Sequence, residues 1–381
     1  MWFIQTYMLS KILIAVILFI FGIKIFIKAG LQKYKSIFSM LISLVLLTLF
    51  SEKLTVFYIL YIIFTYAVLL LIQKLHKTKK LFFVLMCVVF ISPFIIWRTV
   101  ALPEVISSVM LVGFAYNMLK AVDALFYVYY TDIKIPFIEY ANYILFFPVF
   151  TAGPIFRYRD FSKQFADLQA VNIDDINCGV KRFIKGLFKK VVLLTVLAML
   201  FDKLAQIEEY HCYTSLAIIC LAYIVLYIDF SAYSDMAIGV GKIIGVTIPE
   251  NFKKPWTSPS FTQFWRRWHV TLSDWIREHI FVVVQGKQLN KYQSALIGMT
   301  TMIVMSLWHN FTVLAVVSGI YMGFFLVIEN IFSLSTFNVR KEKKYKYIIR
   351  CICVNFFFAI NALAFSLDME KIICILKGIF H

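Results

Sequence analysis

Two histidines are set apart by the company they keep. His269 follows Trp265–Arg266–Arg267–Trp268 inside the stretch PENFKKPWTSPSFTQFWRRWHVTLSDWIREHI (249–280), where Trp, Arg and His crowd together in an otherwise apolar chain. His309 follows Met305–Ser306–Leu307–Trp308 in an apolar run. An ionisable side chain at membrane depth is costly and marks a functional site by default. Imidazole is the group best suited to moving a proton near neutral pH, so proton transfer is the chemistry these positions offer. Each also has a plainer reading: a neutral ring bonded to a neighbouring helix for His309, and an anchor for an interfacial helix for His269. His76 sits among lysines, His211 in an acidic loop, His279 after Arg277 and Glu278, and His381 at the terminus; these four read as solvated or interfacial.

Two further clusters invite chemistry. Asp229–Phe230–Ser231–Ala232–Tyr233–Ser234–Asp235 closes one apolar run and opens another. Six residues apart, Asp229 and Asp235 do not share a helix face well. Asp229 is a partner for Arg266 or Arg267, and the plainer reading is a polar hinge or N-cap. Gly239, Gly241 and Gly245 follow; with no strand before them they suit close helix packing, not a dinucleotide site. The run Phe146–Ile155, followed by Arg157–Tyr158–Arg159, holds Pro148, Gly153 and Pro154 and predicts a broken or re-entrant segment beside a substrate path.

These residues must be positioned by membrane helices. The chain has 381 residues, 61% hydrophobic and 15% charged, with a mean hydropathy of +0.82. A soluble domain is nearer half apolar and a quarter charged. Apolar runs of this length favour helices over barrel strands. Candidate spans fall at about 9–27, 37–51, 54–73, 81–97, 105–130, 138–152, 186–202, 212–232, 294–309, 311–330 and 347–367. Several are shorter than the ~20 residues of a full crossing and read as tilted or re-entrant. Residues 1–30 lack a small-residue cleavage site and read as a retained first span. The likeliest soluble excursion is 157–185. No internal repeat or flexible linker divides the chain, so one all-α polytopic membrane domain over 1–381 is expected.

The net charge of +17 gathers in loops: Lys28, Lys33 and Lys35; Lys74, Lys77, Lys79 and Lys80; Arg157, Arg159, Lys163, Lys181, Arg182 and Lys185; Lys341, Lys343, Lys344 and Lys346. The loops holding Glu52 and Glu208–Glu209 are acidic. An outside N-terminus puts the basic loops, and segment 241–292, in the cytoplasm against anionic lipid; a nucleic-acid surface is not implied. Seven Cys show no metal-ligand spacing with His. Cys87, Cys220, Cys351, Cys353 and Cys374 lie in or at apolar runs and read as small buried hydrophobes.

FFPVFTAGPIFRYRDF (146–161), DFSAYSDMAIGVGKIIGVTIPENFKKPW (229–256), FTQFWRRWHVTLSDWIREHIF (261–281) and LWHN (307–310) resemble the membrane-bound O-acyltransferase family in order and spacing. The resemblance covers roughly 110–330 and looks closest to the bacterial branch of alginate and peptidoglycan O-acetylation and teichoic acid D-alanyl transfer. It implies a ring of about ten tilted and re-entrant helices around a central tunnel in the cell membrane. It implies a thioester donor, acetyl-CoA or a carrier phosphopantetheine, from the cytoplasmic side and a hydroxyl acceptor outside, with no bound cofactor and no metal. His309 would be the catalytic base and His269 the second histidine, nearer the cytoplasmic mouth. Trp265, Arg266, Arg267, Trp268, Asp229, Tyr233, Asn251, Trp308 and Asn310 would line the donor path. The Arg pair suits phosphate.

This chain departs from the family pattern in two motifs: Asn310 replaces the Gly that commonly follows the catalytic His, and Tyr321–Met322–Gly323 holds Met where bacterial members often carry another His. AGPIFRYRDF and YSDMAIG followed by PENF look more like polysaccharide O-acetylation members, while chain length is nearer the D-alanyl type. The sequence reading is therefore acetyl transfer to a cell-surface glycan. D-alanyl transfer to teichoic acid, a transporter, and a non-catalytic scaffold that recruits an extracytoplasmic transferase are its rivals.

Overall fold

The structure, a computed structural model, describes residues 34–74, 80–100, 112–167, 171–280, 289–336 and 343–381, with Gly22, Glu104 and Met110. Apart from Gly22, the expected span 9–27 and the retained-span reading of 1–30 lie outside the described residues, as do the first residues of 105–130 and Lys28, Lys33, His76, Lys77, Lys79 and Lys341. The described residues are helical, turn or irregular, with no strand among them.

Five described helices are long and apolar enough to cross a membrane: Glu52–Lys74, Lys80–Thr99, Cys212–Ile244, Val313–Ile331 and Lys344–Phe365. Their outward faces carry side chains that water would reject, such as Leu60 at 61%, Leu81 at 72% and Ile352 at 62% exposure. Lipid accepts such faces without cost. The same setting corrects one expectation about cysteine: Cys351 is buried, but Cys220, Cys353 and Cys374 are exposed, because an apolar thiol does not need a core when lipid surrounds the helix.

Two compact units form, one from Met1–Lys185 and Asp235–Pro249, the other from Gly186–Ser234 and Glu250–His381. The first contains α1 (Lys35–Phe50), α2 (Glu52–Lys74), α3 (Lys80–Thr99), α4 (Phe114–Thr131), α5 (Phe137–Leu145), α6 (Tyr158–Ala166) and most of α7 (Ile173–Phe188). A π-turn at Lys189–Leu193 carries α7 on into α8 (Leu194–Ala205). Next comes α9 (Cys212–Ile244), whose end belongs to the first unit and whose larger part belongs to the second.

The broken segment expected after residue 146 is present: α5 stops at Leu145, a 3-10 turn covers Phe147–Val149, and irregular chain leads to α6. Backbone groups freed by that break must find partners away from water. Three polar residues on one face of α4 supply them. Asn117 donates to the Phe150 carbonyl at 3.2 Å, Lys120 to the Ile144 carbonyl at 2.8 Å, and Asp123 accepts from the Tyr158 amide at 2.6 Å and the Arg157 guanidinium at 3.4 Å. Of the closely spaced glycines, Gly239 acts as expected: a Cβ there would stand 2.7 Å from the Gly179 carbonyl, so α7 and α9 touch backbone to backbone. Gly241 and Gly245 serve the end of α9 instead, Gly241 lying against Val246 and Ile248 and Gly245 taking φ 84°.

One expectation fails. Residues 229–235 are neither hinge nor cap, because α9 runs unbroken from Cys212 to Ile244, well past the expected end at 232. Its carboxylates can stay inside a helix because both are matched from alongside. Lys190 pairs with Asp229, and Arg182 pairs with Asp235 at 3.1 Å. The expected pairing of Asp229 with Arg266 or Arg267 is thereby replaced.

Candidate active site

The second unit continues with a 3-10 turn at Pro255–Thr257, α10 (Phe261–Trp265), α11 (Val270–His279), α12 (Lys291–His309), α13 (Val313–Ile331), α14 (Lys344–Ala362), a turn at Leu363–Phe365 and α15 (Met369–Lys377). A capping box of Asn290 and Gln293 opens α12. Helix α13 returns after three residues, N-capped by Thr312, whose hydroxyl accepts from the Ala315 amide. The two helices lie in direct contact because α13 presents Gly319 and Gly323. A Cβ at Gly319 would be 2.6 Å from Ile303 Cα, and one at Gly323 would be 2.9 Å from Met299 Cα. This pairing fixes the end of α12 and therefore His309.

His269 is fixed differently. Residues 251–253 run beside 267–270: Val270 donates to the Asn251 carbonyl at 3.0 Å and Lys253 to the Arg267 carbonyl at 2.9 Å. Between them the chain turns sharply, and His269 takes the left-handed conformation, φ 43° and ψ 49°, as the residue before α11. A non-glycine residue held there stores about 1–3 kcal/mol, and such positions cluster at functional sites. The ring is 2% exposed. Its Nδ1 lies 3.1 Å from Asn251 Oδ1. Burial, then the nearby His309, hold its pKa down at about 3, so the ring is neutral across the physiological range.

The two imidazoles come together, 5.8 Å between ring centroids. Phe230 of α9 stacks on His309 at 5.8 Å and 18° and meets His269 edge-on at 6.1 Å. Trp308 and Phe365 complete the aromatic wall around His309, at 4.8 and 5.4 Å. His309 itself is half-buried, and Asn310 beyond it is exposed.

The remaining sequence candidates separate into groups. Trp268 is 4% exposed and packs among Phe264, Phe358 and Phe252 at 5.7, 4.6 and 5.0 Å. Trp265 is half-buried, and its indole nitrogen is buried with no hydrogen-bond partner among the described residues. Arg267 donates to the Thr257 carbonyl at 2.9 Å and hydroxyl at 2.5 Å, closing the corner before α10. Arg266 is exposed. Asp229 and Tyr233 form a separate station on α9, where Lys190 pairs with the carboxylate and lies 4.2 Å from the Tyr233 ring. Successive helical residues point about 100° apart, so Phe230 faces the histidines while Asp229 faces the π-turn.

Several residues of this site escape the sequence reading. Phe230 and Ser234 are the residues of α9 that meet His309 and Asn251. Glu329 is buried on α13, and its carboxylate accepts from the Phe261 and Thr262 amides at 2.5 and 2.8 Å, holding the start of α10. A lone carboxylate in the apolar run 311–330 was a visible signal. Lys189 and Lys190 at the mouth of an apolar run were another.

The match to known proteins covers this same stretch. The chain matches the membrane-bound O-acyltransferase family over residues 128–369. It is 34% identical to "Probable alginate O-acetylase AlgI" of Pseudomonas fluorescens over 248 residues, 61% of this chain and 48% of that one. It is 31% identical to "Peptidoglycan O-acetyltransferase" of Helicobacter pylori over 258 residues, 64% and 46% of the two chains. It is 29% identical to "Teichoic acid D-alanyltransferase" of Bacillus subtilis over 231 residues, 56% and 55%. The chain spans about half the length of the curated relatives it matches. Since the match covers more than half of the chain and takes in α5, α6, α9, both histidines and the α12–α13 hairpin, the chain belongs to the membrane-bound O-acyltransferase family.

Proposed function

We propose that this chain moves an acyl group, acetyl in the first instance, from a cytoplasmic thioester to a hydroxyl of a cell-surface polysaccharide or of a partner protein. The observation that carries this reading is the meeting of His269 and His309 at 5.8 Å within a membrane O-acyltransferase sequence. His309 is the base. As the acceptor oxygen bonds to the thioester carbonyl carbon, its proton passes to the imidazole. The carbon–sulfur bond then breaks, the sulfur leaves with the electron pair, and the proton follows it, so an ester and a thiol depart. Positioned acid–base help of this kind is worth about 10²–10⁴-fold. His309 ends α12, where the helix's carbonyl end favours a ring that becomes positive during the reaction.

Arg266, exposed beside the aromatic cluster, is the cation offered to the phosphate of CoA or of a carrier's phosphopantetheine; Trp265 lies next to it in the chain. The reading requires a ring of about ten tilted and re-entrant helices around a tunnel, a cell-membrane location and an N-terminus outside, so that donor and acceptor reach His309 from opposite faces.

D-alanyl transfer to teichoic acid is the second reading, favoured by the match to the D-alanyltransferases of Bacillus subtilis and Streptococcus thermophilus at 29% and 28% identity. The higher identity to the O-acetylation relatives supports acetyl. Mild alkaline release and mass analysis of surface esters, in cells with and without the gene, tests the choice. Loss of acetate supports the proposal, loss of D-alanine the second reading, and unchanged esters neither. A gene neighbourhood with a carrier protein and its ligase would favour D-alanylation; glycan-synthesis genes would favour acetylation.

A further inference from the structure

We propose that Asn251 is a positioning residue that fixes the tautomer of His269, placing the ring proton on Nδ1 and leaving the Nε2 lone pair for the reaction. The inference rests on reading His269 and His309 as one acyl-transfer site.

The orientation of the Asn251 amide follows from its other partners. Its Oδ1 lies 3.4 Å from the Thr271 backbone nitrogen, which can only donate, and accepts from the Thr271 hydroxyl at 2.9 Å. Its Nδ2 faces Ser234 Oγ at 3.4 Å. That hydroxyl donates its own proton to the Phe230 carbonyl at 3.0 Å, so its oxygen is free to accept from the amide. Turning the amide over would set NH₂ against the Thr271 N–H. An oxygen therefore faces His269 Nδ1 at 3.1 Å, and that nitrogen must carry the hydrogen.

The ring's other nitrogen then depends on its charge. His269 is 2% exposed and precedes the amino end of α11, where partial positive charge disfavours a cation. From α12 it faces His309, a second potential cation. From α9 it faces Phe230, and Asp229 on that helix is held by Lys190; the 251–253 strap and α11 bring the neutral Asn251 and Thr271. Buried among these groups, the ring is neutral, and a neutral ring protonated at Nδ1 has Nε2 as an acceptor. Asn251 also holds the backbone turn through its carbonyl, so one residue sets both where the ring sits and which nitrogen is basic.

The test uses the full chain in detergent, labelled with ¹⁵N-histidine, with the His269 signals found by subtraction of a His269→Gln spectrum. At pH 7 His269 should show a protonated Nδ1 and a bare Nε2. Asn251→Leu should abolish that single tautomer and lower kcat about 10–100-fold with donor KM held within about twofold, as loss of a ring-orienting partner does. Asn251→Asp, closest in shape, keeps the Nδ1 proton but should favour imidazolium, so its activity should fall off at higher pH than the wild type's as pH is lowered. A wild-type ring protonated at Nε2, a single Nδ1 tautomer kept in Asn251→Leu, or a pH profile unchanged in Asn251→Asp overturns the proposal. The spectrum does not depend on turnover, so it separates a wrong tautomer from a wrong activity, which loss of transfer in His309→Ala tests.

Discussion

His269 and His309 meet at 5.8 Å between ring centroids from opposite helix ends, His269 just before α11 and His309 at the close of α12. One ring is buried and held by a side-chain amide; the other is half-buried, with Phe230 stacked beneath it. In the function proposed above this asymmetry gives them different work: the buried ring would organise, and the half-buried ring at the carbonyl end of a helix would accept the proton.

The buried ring leaves a signature in stability. The pKa of His269 falls from 6.5 to about 3 through burial first and His309 second. The folded value lies below the unfolded one, so between them only the unfolded chain takes up the proton. The contribution of this site is whole above pH 6.5 and is lost as pH falls towards about 3, at up to about 1.4 kcal/mol per pH unit. Melting curves from pH 7 to 4.5 should therefore fall less steeply for His269→Gln than for wild type, a difference of about 2 kcal/mol at the acid end. Parallel curves would mean that the ring is not held neutral.

The pair Lys190–Asp229 predicts strong non-additivity. Removing one charge strands the other beside an apolar helix, at a cost of about 3–5 kcal/mol, whereas removing both is nearly neutral. Lys190→Met and Asp229→Asn should each lower the melting temperature and yield, and the double variant should recover most of the loss. Additive losses in that cycle would show that the ion pair has no coupling.

Glu329 presents a cap from another helix. Glu329→Ala removes the acceptor of the Phe261 and Thr262 amides, and hydrogen bonds to a charged acceptor are worth about 1.5–3 kcal/mol each. The variant should unfold about 2 kcal/mol more easily, and loosening of α10 should be visible as faster amide exchange over 261–265. Unchanged exchange there would refute the capping role.

How much of this was legible in the sequence depends on distance along the chain. Glu52–Lys74, Lys80–Thr99 and Val313–Ile331 follow from continuous apolar runs, and the Pro148–Gly153–Pro154 break from residues that cannot continue a helix. Both histidines stand out locally, yet nothing local says that they meet. Their approach is set by the Gly319–Gly323 contact with α12 and by the strap at 251–253, both long-range packings. The partner of Asp229 was hidden for a subtler reason: the π-turn brings Lys189 and Lys190 to α9, with Lys189 bonded to Ser231 and Lys190 to Asp229. The hinge expected at 229–235 failed because matched charge, which sequence does not display, lets a polar stretch stay helical.

Donor binding supplies a kinetic prediction. In the function proposed above, with Arg267 engaged at Thr257, Arg266 would be the guanidinium offered to phosphate. Arg266→Gln should raise the donor KM about tenfold, equivalent to about 1.4 kcal/mol, with kcat little changed. Arg267→Gln should chiefly lower stability. If both variants keep the wild-type KM, the donor phosphate is held elsewhere.

The most direct measurement is acyl transfer by purified His309→Ala and His309→Gln in proteoliposomes, with a labelled thioester inside and a hydroxyl acceptor outside. With His309 as the base, kcat should fall by at least about 10²-fold while melting behaviour and donor binding stay at the wild-type level. Transfer at the wild-type rate by either folded variant would contradict that role.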